Sequence, residues 1–414
     1  MTTITELQSK GQVQIESDEP VAGGRRLLKM NLGPQHPATH GTLRLILELD
    51  GEIVVKCTPE IGYLHTGFEK LGESMSYNQF VVVTDRMNYL SPICNNVGYS
   101  LACEELLGIE IPERGQWART IMSELTRLAD HVVCVGLSAM DLGAFSIMLW
   151  TFIQRENMYD IFESVTGARL TTSWTRVGGI FRDLPPDFDD LVRRKTKDFA
   201  KVLDEIEMML NKQRIWRDRT MGVGVISMDM VKRYALTGPI ARASGFDYDL
   251  RRDRPYLKYP ELEFEVPTHT DGDVFARYQQ RILEMRQSLS MVNQCLKKMP
   301  KKGPLSLDDF KITLPEKQLV YTQMESLIHH FKLLMKGHGI HPPVNEIYSA
   351  TESPNGELGW YIVSDGTGVP YKVRVRPPSF VNYACFAELC QGSTISDLVA
   401  SLSSFNTIAG ELDR

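Results

Sequence analysis

Apolar residues recur at every second position in two short runs near the start of the chain. Leu43, Leu45, Leu47 and Leu49 form the first run, Ile53, Val55 and Cys57 the second, and Asp50-Gly51 lies between them. A period of two marks strands with one buried face. Asp-Gly accepts the positive φ of a tight type I′ turn, so the pattern predicts an antiparallel β-hairpin over about 43–58. From about 63 to 167 the apolar spacing changes to three and four, which predicts helices, with Pro92 and Pro112 at breaks or first turns. Gln116 to Arg169 reads as one or two long helices, and a further helix covers about 187–211. The stretch 213–270, punctuated by Gly222, Gly224, Pro239, Gly245, Pro255, Pro260 and Pro267, predicts loops and short pieces. Val274, Tyr278, Ile282, Met285, Leu289 and Val292 fall on one helical stripe, predicting a helix from Val274 to Lys298. A Lys/Pro-rich connection over 300–315 precedes a helix over 318–336. A second hairpin then pairs Glu346–Thr351 with Leu358–Ser364 around Ser353-Pro354-Asn355-Gly356, Tyr371–Arg376 adds a strand, and a helix and tail follow from Asp397.

The expected fold is therefore α-rich, of the α+β class. A helical core over about 63–340 carries small antiparallel hairpin units at about 43–58 and 345–376 and a C-terminal helix. Residues 29–414 read as a single unit. Residues 1–28 are polar and mixed in charge, with no apolar run of the kind a secretory signal needs, and are expected to form a flexible N-terminal arm.

One segment tests this picture. Val132 to Ile153 contains a single charge, Asp141, and is long enough to cross a bilayer. Asp141 sits near its middle, Gly136 and Gly143 flank it, and Arg127, Asp130 and Arg155 surround the segment. The expectation is a buried central helix of a large protein. The net charge of −6 comes with no basic stripe that would suit nucleic acid. The seven cysteines, Cys57, Cys94, Cys103, Cys134, Cys295, Cys385 and Cys390, include no CxxC pair and are expected to be reduced, buried thiols. No glycine-rich nucleotide loop lies between a strand and a helix, Gly222-Val223-Gly224 being too short, and HExxH is absent. His36 and His40 have a spacing that would put two imidazoles on one helical face, but Gly33-Pro34 and Pro37 argue against a helix there.

Several stretches, in order, resemble one family. They are Met30-Asn31-Leu32-Gly33-Pro34-Gln35-His36-Pro37-Ala38-Thr39-His40-Gly41, Ile61-Gly62-Tyr63-Leu64-His65-Thr66-Gly67-Phe68-Glu69-Lys70, and Asp85-Arg86-Met87-Asn88-Tyr89-Leu90. Glu124 to His131, Asp141-Leu142-Gly143-Ala144, Thr351-Glu352-Ser353 with Gly356-Glu357-Leu358-Gly359, Arg374 to Phe380, and the closing Gly410-Glu411-Leu412-Asp413-Arg414 complete the set. From about residue 29 onward the chain resembles the 49-kDa-type, or D-type, subunit of NADH:quinone oxidoreductase (respiratory complex I). That family is similar to the large subunit of nickel–iron hydrogenases. The hydrogenase metal needs two paired-cysteine motifs. The corresponding stretches here, Arg86 to Ser91 and Ser403 to Ala409, contain no cysteine, so the resemblance implies a hydrogenase-like scaffold whose metal cavity has been reused.

The resemblance implies a quinone-binding subunit of the peripheral arm, on the cytoplasmic face of a bacterial inner membrane. It implies no cofactor bound by this chain, an iron–sulfur cluster in an adjacent subunit that completes the quinone cavity, FMN and NADH elsewhere in the complex, and a membrane arm as a further partner. Quinone reduction takes two electrons and two protons, and a neutral phenol and an imidazole suit the two carbonyl oxygens. The family pattern assigns these roles to Tyr89 and His40, with Asp141 behind His40 as its orienting carboxylate. His36 and Arg86 are further candidates for the cavity, Arg86 as a positive charge near the neighbouring cluster. Taken singly, Tyr89 also reads as a core residue, His40 as a turn residue, Asp141 as a helix cap, and Arg86 as the partner of Asp85. The chain departs from the family pattern in three places. Phe145-Ser146-Ile147-Met148 replaces a Thr-Pro-Phe-like step, Asn406 stands where many relatives carry an acid, which puts a proton route there in question, and Thr66 stands where some have Arg. A membrane-bound hydrogenase large chain, a scaffold protein without quinone contact, and the equivalent chain of a complex with another electron donor are the alternatives.

Overall fold

The structure is a computed structural model that describes residues 14–20, 26–335 and 337–414. The first hairpin forms from β3 (Arg44–Asp50) and β4 (Ile53–Glu60). The alternation holds in β3, where Leu45, Leu47 and Leu49 all lie on the buried face. It does not hold in β4, where a register shift between Glu48 and Leu49 leaves Ile53 and Val55 exposed and buries Val54 and Cys57. Asp50 pairs with Ile53, so the turn residues are Gly51 and Glu52, one position later than Asp-Gly alone suggests, and Gly51 takes the positive φ of 65°. The hairpin is half of a four-stranded antiparallel sheet, because β1 (Gln14–Pro20) and β2 (Arg26–Leu32) continue it on the β3 side. Part of the expected N-terminal arm is thus strand. Its ladder with β2 was hidden because residues 14–20 are polar and show no two-residue apolar repeat. The rest of the arm, residues 1–13 and 21–25, lies outside the described residues.

The helical core follows. A short helix α1 (Phe68–Gly72) leads into α2 (Tyr77–Met87) and α3 (Pro92–Leu107), which starts on Pro92 where the missing N–H is harmless. The long helix α4 (Glu113–Asp141) is buried along nearly its whole length, and α5 (Phe145–Thr166) packs back along it. The apolar run 132–153 is therefore two helices, parted at Leu142–Ala144 where Gly143 takes φ 93°. Its first half is buried as expected. Its second half leaves Phe145, Leu149, Trp150 and Ile153 exposed on α5. Among the described residues no helix is long and apolar enough to cross a membrane. Gly136 lets the two helices approach, since a Cβ there would collide with Thr151.

A two-residue strand pair, β5 (Thr175–Arg176) and β6 (Gly179–Ile180), precedes α6 (Phe188–Thr196) and α7 (Phe199–Lys212). These two helices replace the single one expected over 187–211. Short helical turns occupy 214–253, in keeping with their Gly and Pro content. Helix α8 (Val274–Lys298) has the predicted limits, with the Asp273 side chain capping Ala276 N–H. Its stripe of Ile282, Met285 and Val292 joins Ile121, Leu125, Leu128 and Val132 of α4 in the main core. The helix expected over 318–336 divides at Gln323 into α9 (Lys317–Thr322) and α10 (Met324–Leu334), because Gln323 is extended. The second sheet orders β7 (Asn345–Ser353), β8 (Gly356–Ser364) and β9 (Lys372–Arg376) antiparallel, and its Trp360 meets Tyr99 edge-on at 5.1 Å. The chain ends in α11 (Pro378–Tyr383), α12 (Phe386–Leu389), α13 (Ile395–Ser404) and α14 (Ala409–Asp413), rather than one terminal helix. All seven cysteines are buried and free.

Candidate functional site

Three structural endings meet at one place. Pro37–Thr39 forms a single 3₁₀ turn, and His40 caps it with the left-handed backbone (φ 52°) that His tolerates better than most residues. Helix α4 ends at Asp141. Helix α2 ends at Met87, and Asn88 and Tyr89 turn the chain into α3. The fourth side comes from the far end of the sequence, α13 and the residues leading into α14. Together they enclose a cavity of about 40 Å³, room for a few water molecules. His40, Tyr89 and Asp141 all line it. Leu43, Leu137, Leu402 and Leu412 give it apolar walls, and Ser403, Asn406 and Thr407 add polar groups.

The three side chains stand in different electrostatic settings. His40 keeps solvent contact on its outer side, while the cavity wall desolvates its ring and holds its pKa below the ordinary imidazole value. Tyr89 is half-buried. Desolvation raises its phenol and the buried acids Glu411 and Asp130 add to the rise, against a backbone N–H from Ala409 that favours the phenolate. Asp141 is raised to about 6 by burial, and its Oδ2 has no hydrogen-bond partner. Among the described residues no hydrogen bond joins Asp141 to His40.

The other two candidates stand outside. His36 does not line the cavity; its Nδ1 accepts the Ala38 N–H at 3.1 Å and caps the 3₁₀ turn. Arg86 is exposed on α2 and donates to the Val82 carbonyl. It forms no ion pair with Asp85, whose carboxylate accepts the Ser173 N–H at 2.9 Å instead. Asn406 lines the cavity and donates to Asp130 Oδ1 at 2.6 Å and Asn355 Oδ1 at 2.8 Å.

Sequence reasoning missed Cys134, Leu137, Leu402, Ser403, Thr407 and Leu412. Cys134 and Leu137 lie on the predicted helix at two turns and one turn before Asp141, a spacing that could have flagged them. The C-terminal residues carried no such signal, because only the tertiary fold returns them to the site.

What these features define is an α-rich scaffold holding a small cavity ringed by a phenol, an imidazole and an unpaired carboxyl. Residues 141–414 match the family model of the respiratory-chain NADH dehydrogenase, 49-kDa subunit. The chain is 48% identical over 388 residues to the D-type subunit of NADH-quinone oxidoreductase from Geotalea uraniireducens, covering 94% of this chain and 99% of the relative. It is 46% identical over 410 residues to a D-type subunit of the same enzyme from Solibacter usitatus, covering 99% of each, and 48% identical over 403 residues to that of Methylacidiphilum infernorum, covering 97% and 96%. The chain belongs to the 49-kDa (D-type) subunit family of respiratory NADH dehydrogenases, as one component of a multi-subunit oxidoreductase.

Proposed function

We propose that this chain is the quinone-binding subunit of the peripheral arm of a proton-pumping NADH:quinone oxidoreductase, and that the quinone head group is reduced in the cavity beside Tyr89, His40 and Asp141. The carrying observation is that residues 40, 89 and 141, from three separate segments, line one cavity. The apolar walls suit a ring, and the phenol and imidazole suit its two carbonyl oxygens. As electrons arrive, each oxygen gains negative charge. Tyr89 donates a hydrogen bond to one and protonated His40 to the other, and two protons complete the quinol. The open valence on Asp141 Oδ2 supports a role as carboxylate partner to His40, through a bridging water or a small ring movement, which would favour the imidazolium.

The cavity is too small for a six-membered ring, so head-group entry requires it to widen at the surface loop over 37–43. That loop is where a neighbouring subunit with the terminal iron–sulfur cluster would complete the site and deliver electrons. FMN and NADH then belong to other subunits, and membrane-arm subunits supply the quinone entrance, which places the chain peripherally on the cytoplasmic face of the inner membrane. Replacing Tyr89 by Phe in the assembled complex tests the reading. Quinone reduction is expected to fall about 100-fold, the usual contribution of a positioned proton donor, with electron transfer from NADH to a soluble artificial acceptor unchanged. Normal quinone reduction in that variant would leave the chain as a scaffold.

A further inference from the structure

Behind the cavity lies a buried acid that the reaction as described does not use. Glu411, on α14, has no solvent exposure. Its Oε1 accepts from Asn88 Nδ2 at 2.8 Å and its Oε2 accepts from Ser379 Oγ at 2.7 Å. No cation pairs with it among the described residues. The Ser379 N–H adds a long third bond to Oε2 at 3.4 Å, but a buried carboxyl held by neutral donors with no cation is disfavoured relative to glutamine or an apolar side chain, so packing alone does not account for an acid here.

Its position does. Asn88, the residue before Tyr89, uses its other side-chain atom to accept Leu90 N–H at 3.1 Å and Ser91 N–H at 2.9 Å, which closes the turn that carries Tyr89. Glu411 fixes the orientation of that amide from the Nδ2 side. The same helix brings the Ala409 backbone toward the Tyr89 phenol, where it favours the phenolate. Helix α14 sits against this turn so closely that a Cβ on Gly410 would lie 2.6 Å from the Arg86 and Met87 carbonyl oxygens. The far end of the helix is pinned as well, since Asp413 accepts Gly62 N–H at 2.8 Å and Leu64 N–H at 2.6 Å.

We propose that Glu411 is a positioning residue for Tyr89, holding through Asn88 the turn that presents the phenol and setting the charge behind it. This rests on the reading of Tyr89 as a quinone ligand. The groups facing Glu411 are neutral Asn88 and Ser379, the Tyr89 phenol, and Asp130 from α4, whose own cationic neighbours are Arg127 and Arg281. Burial and Asp130 keep the Glu411 carboxyl near pH 7, so its charge varies in the working range. When ionised, it opposes ionisation of the phenol. When protonated, it can donate to Ser379 Oγ while Oε1 still accepts from Asn88.

Two variants in the assembled complex separate the position from the charge. Glu411→Ala removes both. Amide hydrogen exchange at Leu90 and Ser91 is expected to quicken about tenfold or more, and quinone reduction to fall about tenfold with a raised KM. Glu411→Gln keeps an acceptor for Asn88 and a donor for Ser379. It should restore slow exchange and recover the rate to within about threefold of the parent. It should also move the alkaline limb of the rate profile down by about half a pH unit, because a negative charge near the phenol is gone. Unchanged exchange over 88–91 in Glu411→Ala, or a Glu411→Gln profile that superimposes on the parent's, overturns the proposal. Normal quinone reduction by Tyr89→Phe would instead strike the reading of the site itself, while the exchange at Leu90 and Ser91 still decides whether Glu411 holds the turn.

Discussion

Helix α4 carries buried ionisable groups into two regions that treat them in opposite ways. Toward its middle, carboxylates meet guanidinium groups. Arg242 bonds Glu284 at 2.9 Å and Glu352 at 2.8 Å, Arg251 bonds Asp249 at 2.7 Å, and Glu124 accepts from Arg251, Ser288 and Tyr259. These cations hold Glu124, Glu284 and Asp249 below the usual carboxylate range, while burial, with Asp249 close by, moves Glu352 upward. Toward the cavity no ion pair reaches the acids among the described residues, although Arg127 and Arg281 lie near Asp130. Asp130 and Asp141 are each raised to about 6 and Glu411 to about 7, and Asp130 Oδ2 and Asp141 Oδ2 have no hydrogen-bond partner. Paired charges of the first kind specify and hold a fold. Acids left without an ion pair weaken the fold and remain free to exchange protons.

That contrast is broken most severely in the paired region. Glu284→Ala leaves His131 without its carboxylate and takes one of three carboxylates from Arg242, which keeps Glu352 and Asp249, and is expected to cost about 3 kcal/mol and to lower the amount of assembled complex, read by thermal unfolding and by native gel. In the cavity region the sign reverses. Asp141 titrates near 3.9 when unfolded and near 6 when folded, so the native state binds the extra proton between those values. Its contribution to stability is complete below about pH 4 and is lost as pH rises through 6. Asp141→Asn should therefore be more stable than the parent at pH 7.5, by about 1 kcal/mol once partial solvent screening is allowed for, with the gap narrowing below pH 6 and closing toward about pH 4. The same variant should lower quinone reduction and erase the acid limb of its pH profile near 6. The smallest effect is expected at His36. His36→Ala removes only the cap on the Pro37–Thr39 turn, a loss of about 1 kcal/mol or less, with quinone reduction within about threefold of the parent.

The same division governs what the sequence disclosed. Elements with a strong local period were legible: α8 has its predicted limits, β3 follows its alternation, and the β7–β8 hairpin turns at Pro354-Asn355, whereas the period of Ile53, Val55 and Cys57 does not mark the buried face of β4. Breaks without a proline or glycine, at 197–198 in one predicted helix and Gln323 in another, left no local mark. The strand partnership of β1 with β2 lacked an apolar repeat to announce it. At the site, His40, Tyr89 and Asp141 came from motif resemblance, and the fold brings all three to one cavity. His36 shared the first motif but serves as a cap. Ser403, Asn406, Thr407 and Leu412 reach the cavity only because the C-terminal segment packs back on α4 and the Tyr89 turn, a long-range contact that no spacing along the chain encodes.

The most direct measurement is a structure of the assembled complex with a short-chain quinone analogue bound. One carbonyl oxygen is expected within hydrogen-bond reach of the Tyr89 phenol, the other facing His40, with the 37–43 loop moved outward to admit the ring. A head group bound elsewhere, with the space between residues 40, 89 and 141 closed, would contradict this placement of the quinone.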